Sequence, residues 1–217
     1  MMIHIACNID HYYVRHCAVT LVSLFENNPK ETFTVHIIAR ELSETDRNIL
    51  TALAGKYNNK ACYYTPDAQM LEGFTIRATH NRLSLAAYYR CFLSALLPED
   101  IDRVLYLDCD IVINQSLDEL WNLDMHGKTI AALKDAFSKW YRANIDLKPT
   151  DIMFNSGVML IDLKRWKEQK IEKRLMKFIA SKNGRIQQGD QGALNAVLSH
   201  DTYCFEPRFN SVTIYYD

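Results

Sequence analysis

Residues 103–113 read Arg103-Val104-Leu105-Tyr106-Leu107-Asp108-Cys109-Asp110-Ile111-Val112-Ile113. The nearly continuous apolar run after Arg103 suits a central strand of a parallel sheet, buried on both faces. It stops abruptly at two carboxylates, after which Ile111-Val112-Ile113 resumes the strand-like pattern. Burying a bare carboxylate is costly unless it is paired or binds a metal. At the carboxyl end of a parallel strand the chain reaches the ligand crevice of an open α/β sheet. In an extended chain positions i and i+2 point to the same side. Asp108 and Asp110 are therefore expected to offer oxygens to one divalent cation while Cys109 packs inward. Oxygen ligands favour Mn²⁺ or Mg²⁺ over zinc. Such an ion would neutralise a diphosphate and stabilise it as a leaving group.

Upstream, Ile3–Cys7 is a short apolar strand. Val14, Cys17, Ala18, Leu21, Val22 and Phe25 repeat with helical spacing, which predicts a helix over Val14–Glu26 stopped by Asn27-Asn28-Pro29. Phe33–Ala39 is the second strand. Ser43 with Asp46 three residues on opens a second helix that ends near Gly55. Ala61–Tyr64 is a third strand. This β-α-β-α-β order implies one α/β domain with a mostly parallel central sheet flanked by helices. Nearer the acidic pair, Leu85–Leu97 reads as a helix stopped by Pro98. Downstream, Thr129–Leu133 and Val158–Ile161 are strands and Phe137–Asp151 a loop. Leu163–Asn183 reads as one long helix closed by Gly184, and Asp190–Leu198 as a shorter one.

Composition limits the function classes. The 217 residues are 48% apolar and carry a net charge of −1, which excludes a disordered chain and nucleic-acid binding by bulk electrostatics. No basic segment precedes a long apolar stretch at the N-terminus, and nothing reaches the length of a bilayer span. The six cysteines, Cys7, Cys17, Cys62, Cys91, Cys109 and Cys204, form no CxxC pair, so a zinc site and disulfides are not expected. The expectation is a reduced, cytoplasmic protein. Charge is uneven: residues 163–185 hold nine Lys/Arg and two Glu, a net +7, leaving −8 elsewhere. A solvated helix face is the simpler reading; a surface that meets anionic lipid, peripheral to the inner face of the membrane, or an anionic acceptor is the sharper one.

Several blocks together carry a resemblance. Phe154-Asn155-Ser156-Gly157-Val158-Met159-Leu160-Ile161-Asp162-Leu163-Lys164-Arg165-Trp166 resembles the FN[AS]GVLLINLxxW block of glycosyltransferase family 8. Gln188-Gly189-Asp190-Gln191-Gly192-Ala193-Leu194-Asn195 resembles its QxDQxxLN block, and Arg103–Asp110 its VLYLDxD strand. Asn8–Tyr13 resembles its first nucleotide-binding loop and Ala87–Arg90 its YxR helix. The blocks lie in family order across essentially the whole chain. Within that family the chain resembles the bacterial lipopolysaccharide galactosyl- and glucosyltransferases.

The resemblance implies a GT-A (Rossmann-like) fold and a metal-dependent hexosyltransferase. It would move galactose or glucose from a UDP-hexose donor to a saccharide or glycolipid acceptor with retention, assisted by Mn²⁺, with Mg²⁺ as an alternative. Carried over by position, Asp108 and Asp110 bind the metal. Asp10 meets uracil, Tyr13 stacks on it, and Asn8 lies against the nucleotide. Arg90 contacts the donor sugar and the diphosphate, and Asn155 and Gly157 line the sugar pocket. Asp190 accepts from sugar hydroxyls; it is the nearest candidate nucleophile if the reaction is a double displacement, whereas the expectation is a front-side displacement in which the departing phosphate oxygen helps deprotonate the acceptor hydroxyl. Gln191 sits under the anomeric carbon. His11 stands where an acid is common in the first block and Tyr12 where Asn is usual. The family also carries an H-x-x-G-x-x-K-P-W block after its RFN segment. Here Pro207-Arg208-Phe209-Asn210 is followed only by residues to Asp217, so a domain shortened at its C-terminus is expected. Two other readings are a UDP-sugar-binding module without turnover and a phosphatase. The latter rests on Asp108-Cys109-Asp110-Ile111-Val112, which resembles the D-x-D-x-[TV] opening of haloacid-dehalogenase-type phosphatases, although that motif usually sits on a first strand.

Overall fold

The computed structural model describes residues 2–71 and 85–212. Among these residues seven strands form one sheet: β1 (Met2–Asn8), β2 (Thr32–Ile38), β3 (Lys60–Tyr64), β4 (Arg103–Leu107), β5 (Ile130–Lys134), β6 (Phe154–Asp162) and β7 (Thr202–Phe205). Their order is β3-β2-β1-β4-β6-β5-β7. β6 runs antiparallel to β4 and β5, and the remaining pairings are parallel. The sheet is therefore mixed, with the mostly parallel character expected. The chain builds outward from β1 to β2 and β3, then crosses to β4 on the other side. That reversal lies between β1 and β4, and in open α/β sheets ligands bind outside the carboxyl ends of such strands.

Among the described residues seven α-helices accompany the sheet: α1 (Val14–Glu26), α2 (Glu44–Lys56), α3 (Leu93–Leu96), α4 (Asp118–Trp121), α5 (Leu163–Glu168), α6 (Ile171–Ser181) and α7 (Gly189–Leu198). α1 has the predicted bounds. α2 opens with a capping box in which Ser43 Oγ accepts from the Asp46 backbone N–H and the Asp46 carboxylate accepts from that of Ser43. Two apolar clusters form the core. One contains Ile3, Ile5, Leu21, Phe33, Leu105 and Leu107. The other contains Tyr106, Phe154, Met159, Trp166 and Leu194. Adjacent β4 residues thus feed opposite faces, as a strand buried on both sides requires.

Four readings are corrected. Ile111–Ile113 forms no strand, because side chains of α1 and of Asn27, which caps its end, satisfy its backbone. Thr20 Oγ1 lies 2.9 Å from the Cys109 carbonyl and 2.8 Å from that of Ile111. Ser23 Oγ accepts from the Ile113 N–H, and Asn27 donates to the Ile113 carbonyl. The long helix of 163–183 is two helices. Lys170 takes a left-handed φ of 53°, which re-aims the chain so that Trp166 on α5 and Ile171 on α6 are both buried. Leu85–Phe92 is 3₁₀ rather than α-helical, with only Leu93–Leu96 in α form. Tyr88 through Leu93 are all buried, so this segment is enclosed on every side and needs no single apolar stripe. Finally, Phe137–Asp151 contains a 3₁₀ segment, Ser138–Ile145, opened by Asp135, whose Oδ1 accepts from the Phe137 and Ser138 N–H groups.

One irregularity matters for function. Ala132 pairs with Met159, but the next residue, Leu133, pairs with Asn155. Ser156, Gly157 and Val158 therefore bulge out of the β5 ladder, toward the end of β4. Bulges of this kind re-aim side chains beside active sites.

Candidate functional site

β4 ends at Leu107, and the chain turns through Cys109 and Asp110. Asp108 and Asp110 accordingly do not share one face of an extended strand; the strand stops before the first of them, so the i, i+2 rule does not apply. Asp108 turns inward. Its Oδ1 accepts from Arg90 Nη2 at 2.8 Å and from the Tyr106 hydroxyl at 2.9 Å. Asp110 is exposed and Cys109 is buried.

Arg90 is the hub. Its Nη1 donates to the Ser156 carbonyl and Oγ, and its Nε lies 3.2 Å from the Ala87 carbonyl and 3.0 Å from Asp190 Oδ2. The guanidinium also sits 4.5 Å from the Tyr106 ring centroid. Burial by itself would lower its pKa, but Tyr106, Asp190 and Asp108 more than reverse that and leave it raised. Asp190 heads α7 and is 5% exposed. Burial pushes its carboxyl above the ordinary range, with Arg90 opposing. Gln191, the next residue, accepts through Oε1 from the Ser156 N–H at 3.0 Å and lies 3.2 Å from Ser156 Oγ. A backbone N–H only donates, so the amide oxygen is the committed atom.

Gly157 serves the Asp108 carboxylate directly. The Asp108 N–H donates to the Gly157 carbonyl at 2.8 Å. A Cβ on Gly157 would stand 2.9 Å from Asp108 Oδ2 and 3.1 Å from Asn155 Oδ1. Gly157→Ala is expected to displace that carboxylate and, as overpacking does, to cost about 1–3 kcal/mol; a lower denaturant midpoint with unchanged slope measures it. Asn155 Oδ1 accepts from the Gly157 N–H and from Asn210 Nδ2 at 3.0 Å.

The bond network thus brings together Arg90, Asp108, Asn155, Gly157, Asp190 and Gln191. Asn8, Asp10 and Tyr13 lie at the end of β1 next door, where the Asn8 carbonyl is 3.8 Å from Cys109 Sγ. Asp10 Oδ1 accepts from the Tyr12 and Tyr13 N–H groups and so shapes the loop. Tyr13 is 43% exposed. The Asn8 amide is enclosed, and both its Nδ2 and Oδ1 lack a partner. His11 Nδ1 meets Asp46 Oδ2 at 2.8 Å, pinning this loop to α2. His200 is exposed on the surface near Asp151.

Sequence reasoning missed four residues. Tyr106 was legible in principle, since it stands on β4 only two positions before Asp108 and can reach that carboxylate. Ser156 and Asn195 stand inside the two quoted blocks but received no role there, and Thr20 carried no signal at all. Asn195, fully buried, accepts from the Phe154 N–H at 2.7 Å and donates to the Phe154 and Gln191 carbonyls at 2.9 Å. It joins α7 to β6 as a ladder partner would. Asn195→Ala orphans two buried backbone groups and is expected to cost about 2–3 kcal/mol, read as a lower denaturant midpoint with unchanged slope.

The family model described as Glycosyl transferase family 8 matches residues 4–217. General stress protein A of Bacillus subtilis is 30% identical over 98% of this chain and 74% of its own length. Lipopolysaccharide 1,2-glucosyltransferase of Escherichia coli is 28% identical over 96% of this chain and 62% of its own. This chain thus spans between 62% and 74% of the length of these relatives. The crystal structure of the galactosyltransferase LgtC, in complex with donor and acceptor sugar analogs, superposes with a TM-score of 0.87. It is 26% identical and covers 100% of this chain and 77% of its own.

Proposed function

Because this chain belongs to glycosyl transferase family 8, we propose that it transfers a hexose, glucose or galactose, from a UDP-sugar to a saccharide or glycolipid acceptor with retention, in surface glycan synthesis. Two features at neighbouring strand ends carry the reading. The Asn8 amide is enclosed with neither atom paired, a cost that a ligand supplying a donor and an acceptor relieves. The Asp108 carboxylate is backed by a glycine whose missing Cβ leaves room for Oδ2. Asp108 and Asp110 are hard oxygen donors and fit Mn²⁺ or Mg²⁺. Held there, the ion would neutralise charge on the departing diphosphate.

The chain's own residues do the rest. Asn8, Asp10 and Tyr13 seat the nucleotide. Asn155 and Gly157 line the sugar pocket. Four of the five guanidinium N–H groups of Arg90 are directed at Ala87, Asp190, Ser156 and Asp108, which leaves at most one for the donor. Arg90 therefore acts mainly by holding Asp108 and Asp190 in place. Asp190 is spent on Arg90, and the Gln191 oxygen on Ser156. Both commitments favour positioning roles and a front-side displacement. In that step the bond from the anomeric carbon to the diphosphate breaks as the bond to the acceptor oxygen forms. The acceptor proton passes to the departing phosphate oxygen.

The net +7 carried by residues 163–185, on α5, α6 and the residues that join and follow them, supports peripheral attachment to an anionic membrane face on the cytoplasmic side. Among the described residues no helix is long and apolar enough to cross a membrane. The family match leaves no place for the phosphatase reading of the acidic pair. The test is UDP release from UDP-galactose and UDP-glucose with Mn²⁺, alongside mass spectrometry of the trapped protein. UDP release with no covalent adduct supports the proposal; a glycosyl adduct on Asp190 overturns the front-side step, and absence of release with both sugars overturns the activity.

A further inference from the structure

We propose that Cys7, Cys17 and Cys109 form a site for one soft, three-coordinate cation of the Cu(I) class, directly behind the Asp108–Asp110 turn. Their separations of 10 and 92 residues give no metal-binding spacing in the sequence. The fold supplies it: Cys7 comes from β1, Cys17 from α1 and Cys109 from the turn after β4. The three Sγ atoms lie within 4.8 Å of one another, with Cys7 and Cys17 3.9 Å apart. A triangle with one side of 3.9 Å and none above 4.8 Å has a point about 2.2–2.6 Å from all three sulfurs, against a metal–thiolate bond of about 2.3 Å. Small inward movements of the side chains close that difference.

The surroundings choose the ion. All three cysteines are buried, in the apolar cluster that also holds Ile9, Val14, Leu21 and Leu107. Among the described residues the group contains three ligands and no fourth. A structural zinc ion takes four ligands in a tetrahedron, whereas thiolate donors select soft cations such as Cu(I). Binding releases the thiol protons to solvent and moves no electrons. The neighbouring carboxylates are hard donors, so two cation sites of opposite preference share one turn. Loading the sulfur site ties Cys109 to α1 and β1, beside the point where Thr20 already holds the Cys109 carbonyl.

The test titrates the whole purified chain anaerobically with Cu(I) buffered by bicinchoninate, to equilibrium over hours because the thiols are buried. One equivalent is expected to leave the chelator, and X-ray absorption should show three sulfur ligands. Cys17→Ala and Cys7→Ala should each weaken binding by about 100-fold or more, beyond what loss of an outer contact costs. The double variant Cys62→Ser/Cys204→Ser should bind as wild type does. Melting curves establish that the variants fold, and the sulfur count on the wild type decides the matter if one does not. The proposal is overturned if folded wild type takes no Cu(I), if fewer than three sulfurs bind it, or if both alanine variants bind as tightly.

Discussion

Arg90→Met is expected to be the most destabilising single change in the site. The methionine keeps much of the stem's bulk and removes the charge. Asp190 is then left buried, with its guanidinium partner gone, and the Tyr106 ring and Ser156 lose their contacts as well. Breaking a buried pair by removing one partner costs about 3–5 kcal/mol. For a domain of this size that lowers Tm by about 6–20 °C. The loss has a pH signature. Burial raises the Asp190 carboxyl, and Arg90 opposes that rise; without Arg90 it rises further. A carboxyl with a raised folded-state pKa contributes stability that is full below its unfolded value, near 3.8, and is lost as pH climbs through the folded value. The deficit of Arg90→Met against wild type should therefore be smallest in acid and grow toward neutral pH. Thermal melts of both proteins across that range check it, and a deficit independent of pH would separate Arg90 from Asp190.

Asp110→Asn should behave in the opposite way. Asp110 is exposed on its turn, and substitutions at such positions usually change stability by no more than about 0.5 kcal/mol. Its proposed work is to hold the cation against the diphosphate. UDP-hexose turnover should fall about 10²- to 10³-fold, in the range seen when one preorganised electrostatic contact to a transition state is removed. Tm should stay within a degree or two. Arg90→Met and Asp110→Asn together separate the scaffold of the site from its chemistry.

Much of this architecture was legible because periodicity and burial speak locally. The run from Val104 to Leu107 announced a strand buried on both faces, and the helix of Val14–Glu26 could be bounded to the residue by its stripe and its Asn-Pro stop. The break at Lys170 was not legible. A left-handed lysine between two helical stripes leaves no mark in composition; it follows from Trp166 and Ile171 both needing the core. The same holds for Ile111–Ile113, whose β-branched residues look strand-like yet are fastened by Thr20, Ser23 and Asn27, some ninety residues away.

The site divides along the same line. The acids, Arg90 and the Asp190-Gln191 pair stand out because charged and amide residues at strand and helix ends need a reason. That Asp108 faces Arg90 while Asp110 faces solvent depends on β4 stopping at Leu107, before the first of the two acids. The bulge at Ser156 and Gly157 and the cluster of Cys7, Cys17 and Cys109 arise from pairings across the sheet and are invisible to local spacing.

Calorimetric titration of UDP-galactose and UDP-glucose into the protein, with Mn²⁺ and then with EDTA, tests the central claim most directly. The account predicts one site for at least one of the two sugars, dependent on Mn²⁺ and lost in folded Asp110→Asn. Binding of equal strength in EDTA and in Asp110→Asn, or no binding of either sugar to the wild type with Mn²⁺ present, would contradict it.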